Sequence, residues 1–232
     1  MIPLGVLCQT RPNVSTVALY HFDSDFLDSS GNGRHLTGSA TISSAQSKFG
    51  GNSAYFDGIT SSLTSIAGAF PALDSSDFTM EFWMHYTGAT SEADYDYMAW
   101  LGQVGGSDFI APRLSDNSYS DGYALHMHYR DGSGTWFLSN LIAANRSTLR
   151  NVWAHIAFVR TGGTTYKTYV NGVLSQSAVT SLLSFNAAMT LILGAKNAAG
   201  ASRYMGYIDE FRLSNAAIYT ANFTPPTAPF SS

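Results

Sequence analysis

Asp77-Phe78-Thr79-Met80-Glu81-Phe82-Trp83-Met84-His85-Tyr86 alternates without a break. Phe78, Met80, Phe82, Met84 and Tyr86 fall on one side of an extended chain, Thr79, Glu81, Trp83 and His85 on the other. Successive side chains of a strand point to opposite faces, so this stretch is a strand with an apolar face towards a core and a mixed face away from it. Residues 123–130 repeat the pattern, with Tyr123, Leu125, Met127 and Tyr129 against Ala124, His126, His128 and Arg130. Residues 152–160 are apolar on both faces, as in a central strand of a packed sandwich. Residues 165–170 run into Asn171-Gly172, the dipeptide that tolerates the positive φ of a type I′ hairpin turn, and then Val173-Leu174. Two further strands are expected at 189–194 and 203–213, with one turn of helix around 215–219. Many short strands without long helices mean a sandwich or a barrel.

Composition agrees. Only 12% of the 232 residues are charged while 13% are aromatic, the reverse of a disordered chain. This length suits one all-β domain. The net charge is −4 and the 12 basic residues are scattered, so no cluster exists to neutralise phosphates, and nucleic acid is not expected as a partner. Cys8 is the single cysteine, which excludes an internal disulfide and a cysteine-rich zinc cluster. No stretch approaches the roughly 20 apolar residues that span a bilayer, so no membrane partner is expected. The N-terminal apolar run stops at Cys8 without a basic segment before it, unlike an export signal.

The segments also resemble a family. Ala18-Leu19-Tyr20-His21-Phe22-Asp23, then Asp28-Ser29-Ser30-Gly31-Asn32-Gly33 and Phe49-Gly50-Gly51-Asn52-Ser53-Ala54-Tyr55-Phe56-Asp57-Gly58, are similar to the opening of a laminin-G-like, concanavalin A-like domain. Asp77 to Trp83 resembles its central strand. Trp153-Ala154-His155-Ile156-Ala157-Phe158-Val159-Arg160, Tyr169-Val170-Asn171-Gly172 and Gly206-Tyr207-Ile208-Asp209-Glu210-Phe211-Arg212 follow in the family's order. The ending Tyr219-Thr220-Ala221-Asn222-Phe223-Thr224-Pro225-Pro226 looks most like modules of tailed-bacteriophage virion proteins and their bacterial relatives. The resemblance implies an all-β, two-sheet antiparallel jelly-roll sandwich over residues 15–232, preceded by an arm, residues 1–14. It leaves function open, because one fold hosts many sites.

Catalysis finds no residue set. A glucanase on this fold needs paired carboxylates on one strand. The nearest text, Glu92-Ala93-Asp94-Tyr95-Asp96, follows the loop residues Gly88 to Ser91 and reads as solvated loop charges. Asp131-Gly132-Ser133-Gly134-Thr135-Trp136 is one imperfect copy of a sialidase Asp-box, better explained as a hairpin turn. His126 and His128 share a strand face, but without further ligands they read as a polar patch with Arg130.

Binding remains. The resemblance implies a structural Ca²⁺, with Asp23, Asp25, Asp28 and Asp209 as candidate oxygen ligands. Asp28 also opens an Asp-Ser-Ser-Gly turn that needs no metal. A glycan would use aromatic platforms and a few polar groups: Trp83, His85, His126, His128 and Arg130 are the candidates, with Trp100 and Trp136 near loops. Trp83 and Trp153 match strand signatures and read first as packing. The favoured role is a non-enzymatic virion component of a bacteriophage, made in the host cytoplasm and exposed after release. It would be a capsid decoration or a tail-fibre part, held to other virion proteins by the apolar arm, with homo-oligomers and glycan contacts as further expectations. The alternative is a bacterial carbohydrate-binding or glycan-cleaving protein.

Overall fold

The computed structural model describes residues 15–88, 96–103, 109–114, 124–130, 136–179, 185, 187–196 and 202–232. The first strands are β1 (Thr16–Tyr20), β2 (Leu36–Gly38), β3 (Thr41–Ser43), β4 (Ser53–Asp57), β5 (Leu63–Ser65), β6 (Phe78–Tyr86), β7 (Asp96–Tyr97) and β8 (Ala99–Gln103). After them come β9 (Phe109–Leu114), β10 (Ala124–Arg130), β11 (Trp136–Asn145), β12 (Trp153–Thr161), β13 (Thr165–Val170), β14 (Val173–Val179), β15 (Met189–Leu193) and β16 (Met205–Ser214).

They form two antiparallel sheets. The first runs β14-β13-β12-β6-β16-β4-β3, with β1 beside β16; the second runs β11-β10-β9-β8-β15-β5-β2, with β7 beside β9. The expected jelly-roll sandwich is therefore present, and its core follows the alternation. Phe78, Met80, Phe82, Met84, Ile156, Phe158 and Phe211 are all fully buried in one cluster. At its centre Phe82 stacks on Phe211 with ring centroids 5.9 Å apart. β12 lies between β13 and β6, as its two apolar faces require. Asn171 and Gly172 both have positive φ, 50° and 76°, as a type I′ turn demands.

The helix expected at 215–219 is absent. The short helix lies at Arg146–Leu149 instead, and residues 215–232 lie as an irregular strap over the first sheet. Proline at 225 and 226 and the burial of strap aromatics against the sheet outweigh a local helical tendency.

The last strand carries the feature that shapes the site. Between Asp209 and Arg212, β16 holds one residue more than β6 opposite it, a β-bulge centred on Glu210, whose φ is 53°. On its other edge β16 pairs with β4 before the bulge and with β1 after it. The bulge thus sits where the neighbouring strand changes.

Candidate functional site

The outer face of the first sheet carries three distinct arrangements. The first is a row of rings running across the strands. By register Tyr55 of β4 lies opposite Tyr207 of β16, Tyr207 opposite His85 of β6, and His85 opposite Trp153 of β12. Ring centroids are 4.9 Å apart for Tyr55–Tyr207, 5.8 Å for Tyr207–His85 and 5.4 Å for His85–Trp153. Tyr55, Tyr207 and Trp153 are half-buried, so their rings are held by neighbours and still open to solvent. His85 is buried between them, and burial pushes its pKa down, so the row is uncharged at neutral pH. Its Nδ1 is buried with no hydrogen-bond partner. Burial, helped by the neighbouring Tyr55, pushes the Tyr207 hydroxyl pKa up and keeps it a donor.

The second arrangement is the strap. Glu81, fully buried, accepts two hydrogen bonds from Arg212, at 2.9 and 2.6 Å, on one oxygen. Its other oxygen accepts His155 Nε2 at 3.1 Å and the Tyr219 hydroxyl at 2.8 Å. Tyr219 stacks on Phe223 at 3.5 Å, and both pack on Ala157, Val159 and Tyr169. Phe230 closes over Trp83 and Leu19, under the Arg212 guanidinium. Trp83, one pleat from the ring row, is therefore only 4% exposed, with Lys48 above its ring.

The third is an acidic pocket at the bulge. The buried Asp209 accepts Lys48 N–H and Phe49 N–H, at 2.8 and 3.1 Å, on Oδ2, while its Oδ1 is buried without a partner. Asp23 Oδ1 is in the same condition. Glu210 accepts His21 Nδ1 and Phe230 N–H, each at 2.8 Å. Burial pushes the Asp209 carboxyl up to about 7, and the charges of Glu210 and Asp23 add to that against its hydrogen bonds. Two strained residues frame the pocket: Phe22 and Glu210 have φ of 62° and 53°, left-handed values that bulky side chains rarely adopt. A Cβ on Gly50 would overlap the Asp23 carboxylate. Asp209 Oδ1 and Asp23 Oδ1 are thus two buried carboxylate oxygens with hydrogen-bonding capacity unused inside the fold. Among the described residues no group of three or more His, Cys, Asp or Glu side chains has metal-binding geometry.

Of the four expected ligands, Asp23 shares this pocket with Asp209, and Glu210 lies beside them. Asp28 does not: its carboxylate is consumed by Leu19, Ser30 and Arg34 N–H groups at 3.1, 2.9 and 2.9 Å. Burial alone would raise its pKa, but these hydrogen bonds and that of the Ser30 side chain outweigh it and hold it below the usual carboxylate range. Asp25 is exposed and accepts Leu27 N–H and the Ser24 hydroxyl.

The expected glycan residues divide between the sheets. Trp83 and His85 belong to the first; His126 lies on β10 of the second, fully buried and opposite Arg113. The backbones of His128 and Arg130 pair with Ala111 and Phe109, and their side chains lie outside the described residues. The outer face of this second sheet also holds half-buried Trp100, stacked on Phe109 at 6.0 Å beside Tyr97. Trp83, His85 and His126 are too buried to be open platforms on their own. Glu92 and Asp94 lie outside the described residues. Asp96, expected among solvated loop charges, is 3% exposed and accepts the Tyr86 hydroxyl at 2.9 Å, because β7 turns it into the interior. Sequence reasoning missed Tyr55, Tyr207 and Trp153 as one site; their alternation was visible, their register was not.

Among the described residues no helix is long and apolar enough to cross a membrane. Residues 57–222 match the family described as the concanavalin A-like lectin/glucanases superfamily. Comparison with curated protein sequences gave no match. Among solved structures, domain 4 of AbnA, a GH43 extracellular arabinanase from Geobacillus stearothermophilus, in complex with arabinotriose, is similar at 22% identity and a TM-score of 0.66, over 89% of this chain and 95% of that one. The botulinum neurotoxin serotype G binding domain is similar at 13% identity and 0.63, over 88% of this chain and 48% of that one. The botulinum neurotoxin serotype D ligand binding domain, in complex with N-acetylneuraminic acid, is similar at 11% identity and 0.66, again over 88% and 48%. The chain thus spans about half the length of the toxin chains it resembles. At these identities the likenesses speak for the fold.

Proposed function

The chain belongs to the concanavalin A-like lectin/glucanases superfamily, and on that premise we propose that it is a non-catalytic glycan-binding domain displayed on a bacteriophage particle. The observation that carries the binding reading is the ring row Tyr55–Tyr207–His85–Trp153, in which both tyrosines and the tryptophan are open to solvent. Aromatic faces bury the apolar faces of sugar rings, while phenolic hydroxyls offer the few polar contacts that orient them. The AbnA domain complexed with arabinotriose and the toxin domain complexed with N-acetylneuraminic acid support the same class. A glycan microarray tests the reading: retention of one glycan class without turnover is expected, and retention of none overturns it.

Display on a particle rests on the likeness of the closing segment, Tyr219 to Pro226, to virion modules. In this proposal the arm, residues 1–14, outside the described residues, holds the domain to other virion proteins. Deleting residues 1–12 is expected to leave the melting temperature unchanged and to remove the protein from purified particles. Undiminished incorporation of the truncated chain, read by immunoblot of those particles, would assign the contact elsewhere.

A structural calcium ion at Asp23 and Asp209 belongs to the same proposal. An ion held only by the folded state stabilises it, by about 2.7 kcal/mol at a hundredfold excess over Kd. The melting temperature is expected to rise in millimolar CaCl₂ relative to chelator. Asp209→Asn is expected to raise the melting temperature in chelator, since it removes an unpaired buried charge, and to abolish the calcium effect. Identical melting curves for the unaltered protein in chelator and in calcium would rule the ion out.

A further inference from the structure

We infer that the ring row binds an extended, uncharged glycan laid across the strands, from Tyr55 on β4 to Trp153 on β12, rather than a sugar terminus or an acidic glycan. The inference rests on the glycan-binding reading and narrows it. Four consecutive strands contribute one ring each at directly opposed positions, so the rings form a line perpendicular to the strands. Three strand spacings give that line a length of about 14 Å. A terminal sugar needs one platform in a pocket; a line of this length is matched by several sugar units of a continuing chain.

Its boundaries point the same way. One pleat along, the parallel line through Trp83 and His155 is sealed: Phe49 and Lys48 lie on Trp83, and Tyr219, Phe223 and Phe230 on His155. The strap therefore forms a wall along one side of the row. On β3 the position beyond Tyr55 is exposed Thr41, so the line runs out at that end without a bulky side chain. Neighbouring rings are tilted by 40°, 77° and 57°, so the strip is corrugated, presenting faces and edges in turn. A sugar chain likewise alternates apolar faces with hydroxyl edges.

The charge pattern disfavours acidic ligands. No charged residue stands in the row. The charges flanking it are engaged elsewhere: Glu81 with Arg212, Lys48 on Trp83, and Asp57 with the N–H groups of Ile59, Thr60 and Ser61 at 2.8, 2.8 and 2.9 Å. A carboxylate sugar would be desolvated over the row, while Lys48 is held over the Trp83 ring one pleat away. Neutral hydroxyls can be satisfied by the Tyr55 and Tyr207 phenols.

Titration calorimetry of the full chain with neutral oligosaccharides of increasing length, chosen from the class retained on the array, tests this. Sialylated and uronate-containing glycans form the second arm, and Tyr207→Ala, Trp153→Ala and Trp100→Ala are the variants, with melting curves as the folding control. Affinity is expected to rise with length up to a plateau, and Tyr207→Ala and Trp153→Ala each to weaken binding by about tenfold or more while Trp100→Ala leaves it unchanged. If Trp100→Ala abolishes binding and the row variants do not, the ligand lies on the second sheet; the inference falls and the glycan-binding reading stands. Retention of acidic glycans alone, or equal affinity for one unit and for many, also overturns the inference. Absence of any binding overturns the underlying reading as well.

Discussion

Replacing Glu81 with Ala is expected to cost about 3–5 kcal/mol, since it leaves a buried cation without its partner. For a chain of this size that corresponds to a fall in melting temperature on the order of 10 °C, read by calorimetry. Four hydrogen bonds converge on this carboxylate, from Arg212, His155 and Tyr219, and all of its oxygen capacity is used inside the fold. Tyr219→Phe removes one of the four and is expected to cost about 1.5–3 kcal/mol, the range for a hydrogen bond to a charged group. Acid should reproduce part of the effect. Burial alone would raise the Glu81 pKa, but the His155 hydrogen bond and the Arg212 charge outweigh it and hold it below the usual carboxylate range. A lowered folded-state pKa means that the stabilisation is complete above the unfolded value, near 4.5, and is lost as pH falls through the folded one. The unaltered protein should therefore lose stability below about pH 4.5, and Glu81→Gln should show a flatter acid limb. Parallel acid limbs for the two proteins would show that Glu81 is not the linked group.

Gly172→Ala is expected to cost more than its backbone strain alone. A left-handed alanine costs roughly 1–2 kcal/mol. Here φ is 76°, and a Cβ would overlap the Phe223 carbonyl of the strap, whose N–H donates to the Gly172 carbonyl at 2.9 Å. Gly162 is the internal comparison: its φ is 60°, and a methyl group there would meet nothing within 4 Å. Gly162→Ala should cost the strain alone; Gly172→Ala should add the displacement of the strap, for a total on the order of 3 kcal/mol. Faster hydrogen exchange at Phe223, and at Leu174, whose N–H is capped by Asn222 at 2.8 Å, should accompany it. Equal costs for the two alanines would show that the strap does not depend on this turn.

Asn171-Gly172 illustrates how far local reading reaches. Their positive φ values belong to the dipeptide and were legible from the sequence. That Asn171 Oδ1 also accepts the His155 N–H at 2.9 Å, and that the turn is the floor for Phe223, depends on residues far from it along the chain.

Alternation determined the strands, their buried faces and the sandwich, because the two-residue period of an extended chain is a local property. The family resemblance rested on the same local segments. Tertiary structure alone decided which mixed faces stay open. Trp83 and His85 stand two residues apart on one face of β6, yet the strap seals Trp83, while His85 joins a row whose other members come from β4, β12 and β16. The same holds for the acids. Asp23, Asp25 and Asp28 look alike in sequence, but Asp23 alone of the three shares the pocket of Asp209, while Asp28 is spent on the N–H groups of Leu19, Ser30 and Arg34. Cross-strand register and the path of an irregular tail join residues far apart in the chain, and no short-range pattern in the sequence encodes either.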